Sequence, residues 1–524
     1  MFPMKNLTDL ILSTNENIEF KNLFSFNRGI ERETLRVTED GRLSERPPPK
    51  ELGNILTHPF ITADFAEAQP ELITSVHNSP AQVLSELEKI HAFVARTLKN
   101  ELMWCASMPC ELPPKSRIKI ANFGATNLGK LKGLYRAGLA ERYGKEMQTI
   151  CAIHYNFSFS EDFWQWLKLT EKSEDSSRQF RSRRYFDLMR NFRRHSWLVT
   201  YLFGASPATC ASFVQNRNHK LLEFHGQETV FSPHSTSLRS ADIGYQSNVQ
   251  DRYVRVSYNG LAEYVSSLKA AILNNFKAYE KFSNEKSQIS SNLLQSEAEF
   301  YTTIRAKRKI DSEENFVYSL SSNGVEYVEL RLLDLNPFTP LGINEDQIRF
   351  LDIFLLFCLL TESPKDDEKK LEDNAFNHNT TIFNGREKGI ILRNGAKETP
   401  LKTWANEILA QLLELANFLD KIEKSKENEK SLRNISKLIE NPELTPSGKM
   451  LNEMDEKKLS FLDFGIQRSR KHKKYYLDLD LSLAEMKFFK IISNKSHQAA
   501  KKLDRHEKED FNAYLKNFLD SYQR

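Results

Sequence analysis

The sequence predicts a mixed helix-and-strand protein, on three observations. Ile150–Phe159 alternates cleanly, with Ile153, Tyr155 and Phe157 on one face and His154, Asn156 and Ser158 on the other. Gly324–Leu333 does the same, setting Val328, Leu330 and Leu332 against Tyr327, Glu329 and Arg331. Ser79–Asn100 instead carries a helical period, with Val83, Leu84, Leu87, Ile90, Phe93 and Val94 on one stripe. A chain of 524 residues can bury a large core and has room for more than one domain.

The remaining elements follow in order. Residues 5–25 read as a helix. Asp40-Gly41 is a turn signal, with Thr34–Val37 and Leu43 as the arms of a hairpin. Phe60–Thr74 mixes β-branched and aromatic residues with Asp64, Glu67 and Glu71; Pro70, having no N–H, marks an edge, a bulge or a break. Helices are expected at Tyr135–Thr149, Tyr185–Leu202, Leu261–Lys281 and Gln347–Leu360. Residues 364–524 read as helices joined by charged runs, without an internal repeat or a catalytic motif.

Composition narrows the class. The net charge of +4 is small for this length and points to no particular partner. The five cysteines show no CxxC spacing, so neither a zinc site nor a disulfide framework is indicated, and buried reduced thiols fit a reducing compartment. Met1–Glu19 lacks a basic region followed by an apolar run. The most apolar stretch, Phe350–Leu360, is interrupted by Asp352 and is too short to span a bilayer. A cytoplasmic protein is expected.

Arg28–Arg36 carries the first chemical signal. In an extended strand Glu31 and Glu33 share a face, about 7 Å apart. Such a pair repels unless a cation sits with it. Alone, it is more simply a solvated, charge-alternating strand. Other strand-like segments add Asp64, Glu71 and Glu329, with His154 on a comparable polar face. Oxygen-rich sites of this kind suit magnesium or manganese bridged to phosphates. Arg136, Arg239, Arg305, Lys307 and Arg331 stand beside them, and the arginine fork suits carboxylates and phosphates. Acids for a metal and arginines for anions suggest phosphoryl transfer to a carboxylate. Nothing matches GxxxxGK[ST], and no GxGxxG follows a strand. A nucleotide would therefore bind on a sheet surface through metals and basic side chains. The basic runs Arg178–Arg194 and Lys471–Lys474, with aromatic neighbours, fit nucleic-acid binding superficially, although such runs are more often solvated helix faces.

Ordered motifs then carry a resemblance. They are Arg28–Arg36 (RGIERETLR), Ile61–Thr74 (ITADFAEAQPELIT), Leu102–Pro113 (LMWCASMPCELP), Leu134–Gln148, His154–Ser158 (HYNFS), Tyr201–Pro207 (YLFGASP), Thr236–Tyr245 (TSLRSADIGY), Phe300–Arg308 and Gly324–Phe338 (GVEYVELRLLDLNPF). Together they resemble the proteobacterial type of glutamate–cysteine ligase, over about residues 25–362 and only weakly beyond 365. The resemblance implies an α+β fold similar to glutamine synthetase: a curved, mainly antiparallel sheet forming a funnel-shaped active site, with helices outside. It implies a catalytic core at 1–362 and a mainly helical region at 363–524 packed on it. It implies ATP-dependent joining of the γ-carboxylate of L-glutamate to the amine of L-cysteine through a γ-glutamyl phosphate, the first step of glutathione synthesis. Cofactors would be ATP and more than one magnesium or manganese ion, with no nucleic acid, membrane or obligatory protein partner.

Carried over by motif, Glu31, Glu33, Asp64, Glu71, His154 and Glu329 look like the metal set. Arg136 and Arg331 look like catalytic anion clamps that also bind substrate. Phe65, Arg239, Tyr245 and Tyr301 look like substrate-pocket residues, and Lys307 with Arg305 looks toward the nucleotide. A related ligase joining glutamate to another small amine is the nearest alternative.

Overall fold

The computed structural model describes residues 23–523 apart from 216, 227, 245–246, 283–286, 311–314 and 508. Most of the helix expected at 5–25, and Tyr245 of the expected substrate pocket, lie outside the described residues.

Six strands build the main sheet: β1 (Phe26–Glu33), β2 (Ile61–Ala63), β3 (Pro70–Ile73), β4 (Ile153–Phe159), β5 (Ile304–Lys307) and β6 (Tyr327–Leu333). Their order is β5-β6-β4-β1-β3-β2, and every neighbouring pair is antiparallel. Pro70 opens β3, where it faces Ala63 of the outermost strand β2, a position that tolerates its missing N–H.

One face of the sheet is apolar. Ile30, Leu72, Tyr155, Phe157, Val328, Leu330 and Ile304 are all buried there. Helices α1 (Pro80–Thr97), α3 (Ser177–Phe203) and α4 (Glu345–Leu360) cover it, with α2 (Asn127–Tyr143) between α1 and α3 in the chain. Two charges on this face are matched internally. Arg28 reaches Asp352 of α4 at 2.7 Å, and Tyr155 donates to the same carboxylate at 2.6 Å. This ion pair explains why an acid interrupts the most apolar stretch of the chain. Arg32, also on this face, donates to the Trp104 carbonyl at 3.4 Å, away from Glu31 and Glu33.

Several boundaries differ from expectation. Helix α2 begins at Asn127, not Tyr135, because the Thr126 hydroxyl caps it by accepting from the Gly129 amide. The helix expected at Leu261–Lys281 stops at Leu273, and 3-10 turns follow at Lys277–Phe282. Beyond α5 (Glu368–Asn384) the chain is not helical throughout. A hairpin of β7 (Ile391–Asn394) and β8 (Lys397–Pro400) precedes α6 (Leu401–Glu423). Asn394-Gly395 makes its turn, with Gly395 at φ 64°, a hairpin signal present in the sequence and not used. Helix α7 (Phe461–Asp478) then returns to pack on α1. Gly465 lets α7 also pass close to Trp104, since a Cβ there would lie 2.0 Å from the Trp104 ring.

The basic runs are spoken for. Arg184 and Arg190 pair with Asp187, Arg183 with Asp175 and Arg194 with Asp366. In α7, Lys473 pairs with Glu39 and Lys474 with Asp478. Arg184, Arg190 and Arg194 are buried and committed to acids, so they are not part of a phosphate-tracking surface. Among the described residues no helix is long and apolar enough to cross a membrane.

Candidate active site

The polar face of the sheet is assembled by register. Glu31 stands opposite His154, Glu33 opposite Glu71, and Glu329 opposite both Asn156 and Arg305. Residues directly opposite in antiparallel strands share a face. Side chains from five strands therefore meet on the side away from the core.

The contacts are short. His154 Nδ1 lies 3.2 Å from Glu31 and 3.9 Å from Glu329, and its Nε2 lies 3.4 Å from Glu33. Asn156 donates to Glu31 at 2.8 Å. Glu33 accepts from the Ala152 amide at 2.8 Å. Ligand atoms of Glu31, His154 and Glu329 all lie within 4.8 Å of one another, as a shared metal ion requires. Glu71 joins from β3 and Asp64 from the turn between β2 and β3, where the Asp64 charge raises both Glu33 and Glu71.

Arg331 shares the face of Glu329 by strand alternation and sits beside a break in pairing. Leu330 faces Tyr155 and Leu333 faces Ile153, so one extra residue sits in β6 between those pairs. The Arg331 Nη1 donates to Glu329 at 3.0 Å and approaches His154 at 3.5 Å. Lys307 stands 3.7 Å from the other oxygen of Glu329.

Electrostatics divide the face. Burial, Glu31, Asp64 and Glu33 together push the Glu71 carboxyl well above the usual carboxylate range. Burial and Asp64 push Glu33 up likewise. Burial also opposes the charge on Glu329, but Lys307, Arg331 and His154 outweigh it and hold that carboxyl well down. Glu31 is held down despite burial by its hydrogen bond to His154. Burial and Arg331 lower His154, favouring the neutral imidazole that can ligate a metal.

Beside Arg331 lies a cavity of about 170 Å³ bounded by Arg239, Asp251, Tyr301, Arg331 and His378. Arg239 donates to the Arg331 carbonyl at 2.6 Å and lies 3.8 Å from Asp334. The Tyr301 hydroxyl accepts from Gln148 at 3.1 Å. Arg136 donates to the carbonyls of Asp64 and Ala63 and lies 4.3 Å over the Phe123 ring. It thereby braces the turn that carries Asp64. Arg305 turns to the carbonyls of Ala298 and Phe300. Phe65 is 1% exposed and packs in the core.

Three residues escaped sequence reasoning. Asn156 shares strand parity with His154, and that parity was the available signal. Asp334, which accepts from Ser206 at 2.6 Å and Ser237 at 3.0 Å, follows strand β6 immediately, within the motif Gly324–Phe338. His378 reaches the cavity from α5, where the sequence offers no motif.

The glutamate–cysteine ligase family model matches residues 11–381, which include every residue just described. The chain belongs to the glutamate–cysteine ligase family. It is 42% identical over 491 residues to the glutamate–cysteine ligase of Pseudomonas putida, covering 93% of each chain. With the Alcanivorax borkumensis enzyme the identity is 42% over 464 residues, 87% of this chain and 88% of that one. The likeness thus runs well past residue 365, further than the motifs indicated. Among solved structures, glutamate–cysteine ligase of Francisella tularensis in complex with AMP superposes with a TM-score of 0.88 at 31% identity, over 95% of this chain and 98% of that one. A bifunctional glutathione synthetase from Pasteurella multocida gives 0.72 at 26% identity, over 93% of this chain and 58% of that one. The family fold is the α+β architecture with an antiparallel sheet described above, and the family's reaction is the ligation of glutamate to cysteine.

Proposed function

We propose that this ligase works in the cytoplasm and uses ATP, through a γ-glutamyl phosphate, on the polar face of the six-stranded sheet. The observation that carries the reading is the register that sets Glu31 against His154, Glu33 against Glu71 and Glu329 against Asn156. The AMP complex of the Francisella relative supports a nucleotide site in this fold.

The donor set fits divalent cations. Oxygen ligands dominate, Glu33 and Glu71 crowd each other, and the buried Glu329 Oε2 has no hydrogen-bond donor. Glu31, Glu33, Asp64, Glu71, His154 and Glu329 would hold magnesium or manganese, more than one ion. Bound there, the ions would neutralise the ATP phosphates.

The chain's own residues do the rest. Arg331, held by Glu329, donates to the phosphoryl group as charge moves onto it and to the acyl phosphate that forms when the γ-carboxylate attacks. Arg239 and Tyr301 line the adjoining cavity, where the cysteine carboxylate and amine would sit. Lys307 stands at the outer end of β5, toward the nucleotide. Arg136 fixes the Asp64 turn. Exclusion of water from this cavity once the substrates fill it would protect the acyl phosphate, whose hydrolysis would waste ATP. Among the described residues, those before 363 supply the strands and the cations, and His378 joins them from the region 363–524.

The test is ADP release by the metal-loaded protein with glutamate, with and without cysteine. Cysteine-dependent formation of γ-glutamylcysteine is expected. ADP release without a γ-glutamyl product would sink the proposal. A panel comparing cysteine with 2-aminobutyrate separates this reading from ligation to another small amine.

A further inference from the structure

A second cavity, of about 210 Å³, lies where α3, α4, α5, the β7–β8 hairpin and α6 meet. It shares no lining residue with the cavity beside Arg331. We propose that it is a binding site for a small organic carboxylate with a flat, apolar body.

Its walls are aromatic on one side. The His195 ring stands edge-on to Trp404 at 5.7 Å and lies 5.8 Å from Phe357. A flat apolar group fits against such a wall. The other side is rich in donors that have nothing to donate to. Arg194 Nε and Asn374 Nδ2 are buried without a hydrogen-bond partner, and so is His195 Nδ1. A ligand's acceptors can pair with these donors without breaking a hydrogen bond inside the protein. Burial and the nearby Arg194 keep the His195 imidazole neutral, so one of its nitrogens donates and the other accepts, according to tautomer.

At the mouth stands Arg393 of β7. Its closest carboxylate, Asp373, is 3.8 Å away, and its guanidinium lies 3.9 Å over the Phe376 ring. The fork is therefore only loosely engaged and suits a carboxylate.

The surplus here is of donors more than of charge. Arg194 is matched by Asp366, and Lys370 by Asp367. A polyphosphate would lack compensation, and inorganic phosphate would leave the aromatic wall uncovered. A volume of about 210 Å³ suits one ring and a carboxylate, since an apolar cavity of about 150 Å³ takes benzene. Asn374 lies one helical turn before His378 on α5, so the bound molecule would touch the helix that lines the substrate cavity.

The probe is benzoate, titrated into the full-length protein by calorimetry and tryptophan fluorescence, with inorganic phosphate as competitor. Saturable binding is expected, weakened about tenfold or more in Arg393→Ala, abolished in Asn374→Asp, and unchanged in Arg331→Ala. Ligase activity of Arg393→Ala should remain at the wild-type level. Asn374→Asp is isosteric, and its melting temperature verifies that the fold is kept. Absence of saturable benzoate binding overturns the proposal. So does binding that survives Arg393→Ala and Asn374→Asp but is lost in Arg331→Ala, because the probe would then occupy the substrate cavity. Equal displacement by inorganic phosphate overturns the organic body of the ligand.

Discussion

Glu329 and Glu33 stand on one face of one sheet, with β4 between their strands, and both are buried. Their surroundings differ completely. Glu329 has Arg331 at 3.0 Å and Lys307 at 3.7 Å, and these cations keep it ionised. Glu33 has Asp64 and Glu71 beside it and is pushed toward its neutral form. The half around Glu329 is internally compensated; the half around Glu33 collects like charges. Evolution of a stable fold would not retain such crowding without return, because like charges this close cost stability. On the reading proposed above, the crowded half would receive cations from solution, and the compensated half would hold arginine and lysine in place for the anions those cations accompany. His154 and Asn156, on the strand between, tie Glu31 to the two halves.

The largest expected effect comes from Glu329→Gln. It removes a proposed metal ligand and leaves Lys307 and Arg331 without their shared acid, so kcat/KM should fall about 10³-fold or more, roughly 4 kcal/mol of transition-state stabilisation. An ADP-release rate within tenfold of wild type would break the comparison. Arg331→Lys comes next. Lysine keeps the charge but loses the planar fork, and a loss of about 10²-fold in kcat is expected, as for other removed oxyanion donors. Single-turnover phosphoryl transfer measures it, and full rescue by lysine would show that charge alone suffices.

A third test separates the halves by stability. In metal-free protein Glu33→Gln relieves crowding and should hold or raise the melting temperature, with a stability gain of up to about 1–2 kcal/mol. Glu329→Gln strands two cations and should lower it. Thermal melts in chelator compare them directly, and equal destabilisation by both would erase the distinction. The smallest effect is expected from Asn156→Ala. It removes one donor to Glu31, about 1 kcal/mol, and a few-fold rise in the magnesium concentration needed for half-maximal rate should follow. An unchanged magnesium dependence would remove Asn156 from the linkage.

Much of this face was legible in the sequence, for a physical reason. Strand alternation has period two, so Glu31 with Glu33, and Glu329 with Arg331, could be placed on a common side before any pairing was known. Arg32 turned to the Trp104 carbonyl by the same parity. Register was not legible. Nothing in either segment states that Glu33 faces Glu71, because pairing between distant strands is decided by turns and packing elsewhere. The bulge at Arg331 and the arrival of His378 from α5 are likewise long-range products. The motifs placed Arg136 near anions, whereas its guanidinium is also tied to the carbonyls of Ala63 and Asp64. Single-residue roles are less legible than shared faces, because side-chain partners come from outside the motif. The β7–β8 hairpin was legible and missed, since Asn394-Gly395 is a local signal.

The central claim is that the crowded half takes a divalent cation. Anomalous scattering from manganese in crystals soaked without nucleotide tests it most directly. The account predicts a peak between Glu33 and Glu71, lost in Glu33→Gln. Manganese absent from that half, with an active enzyme, would contradict it.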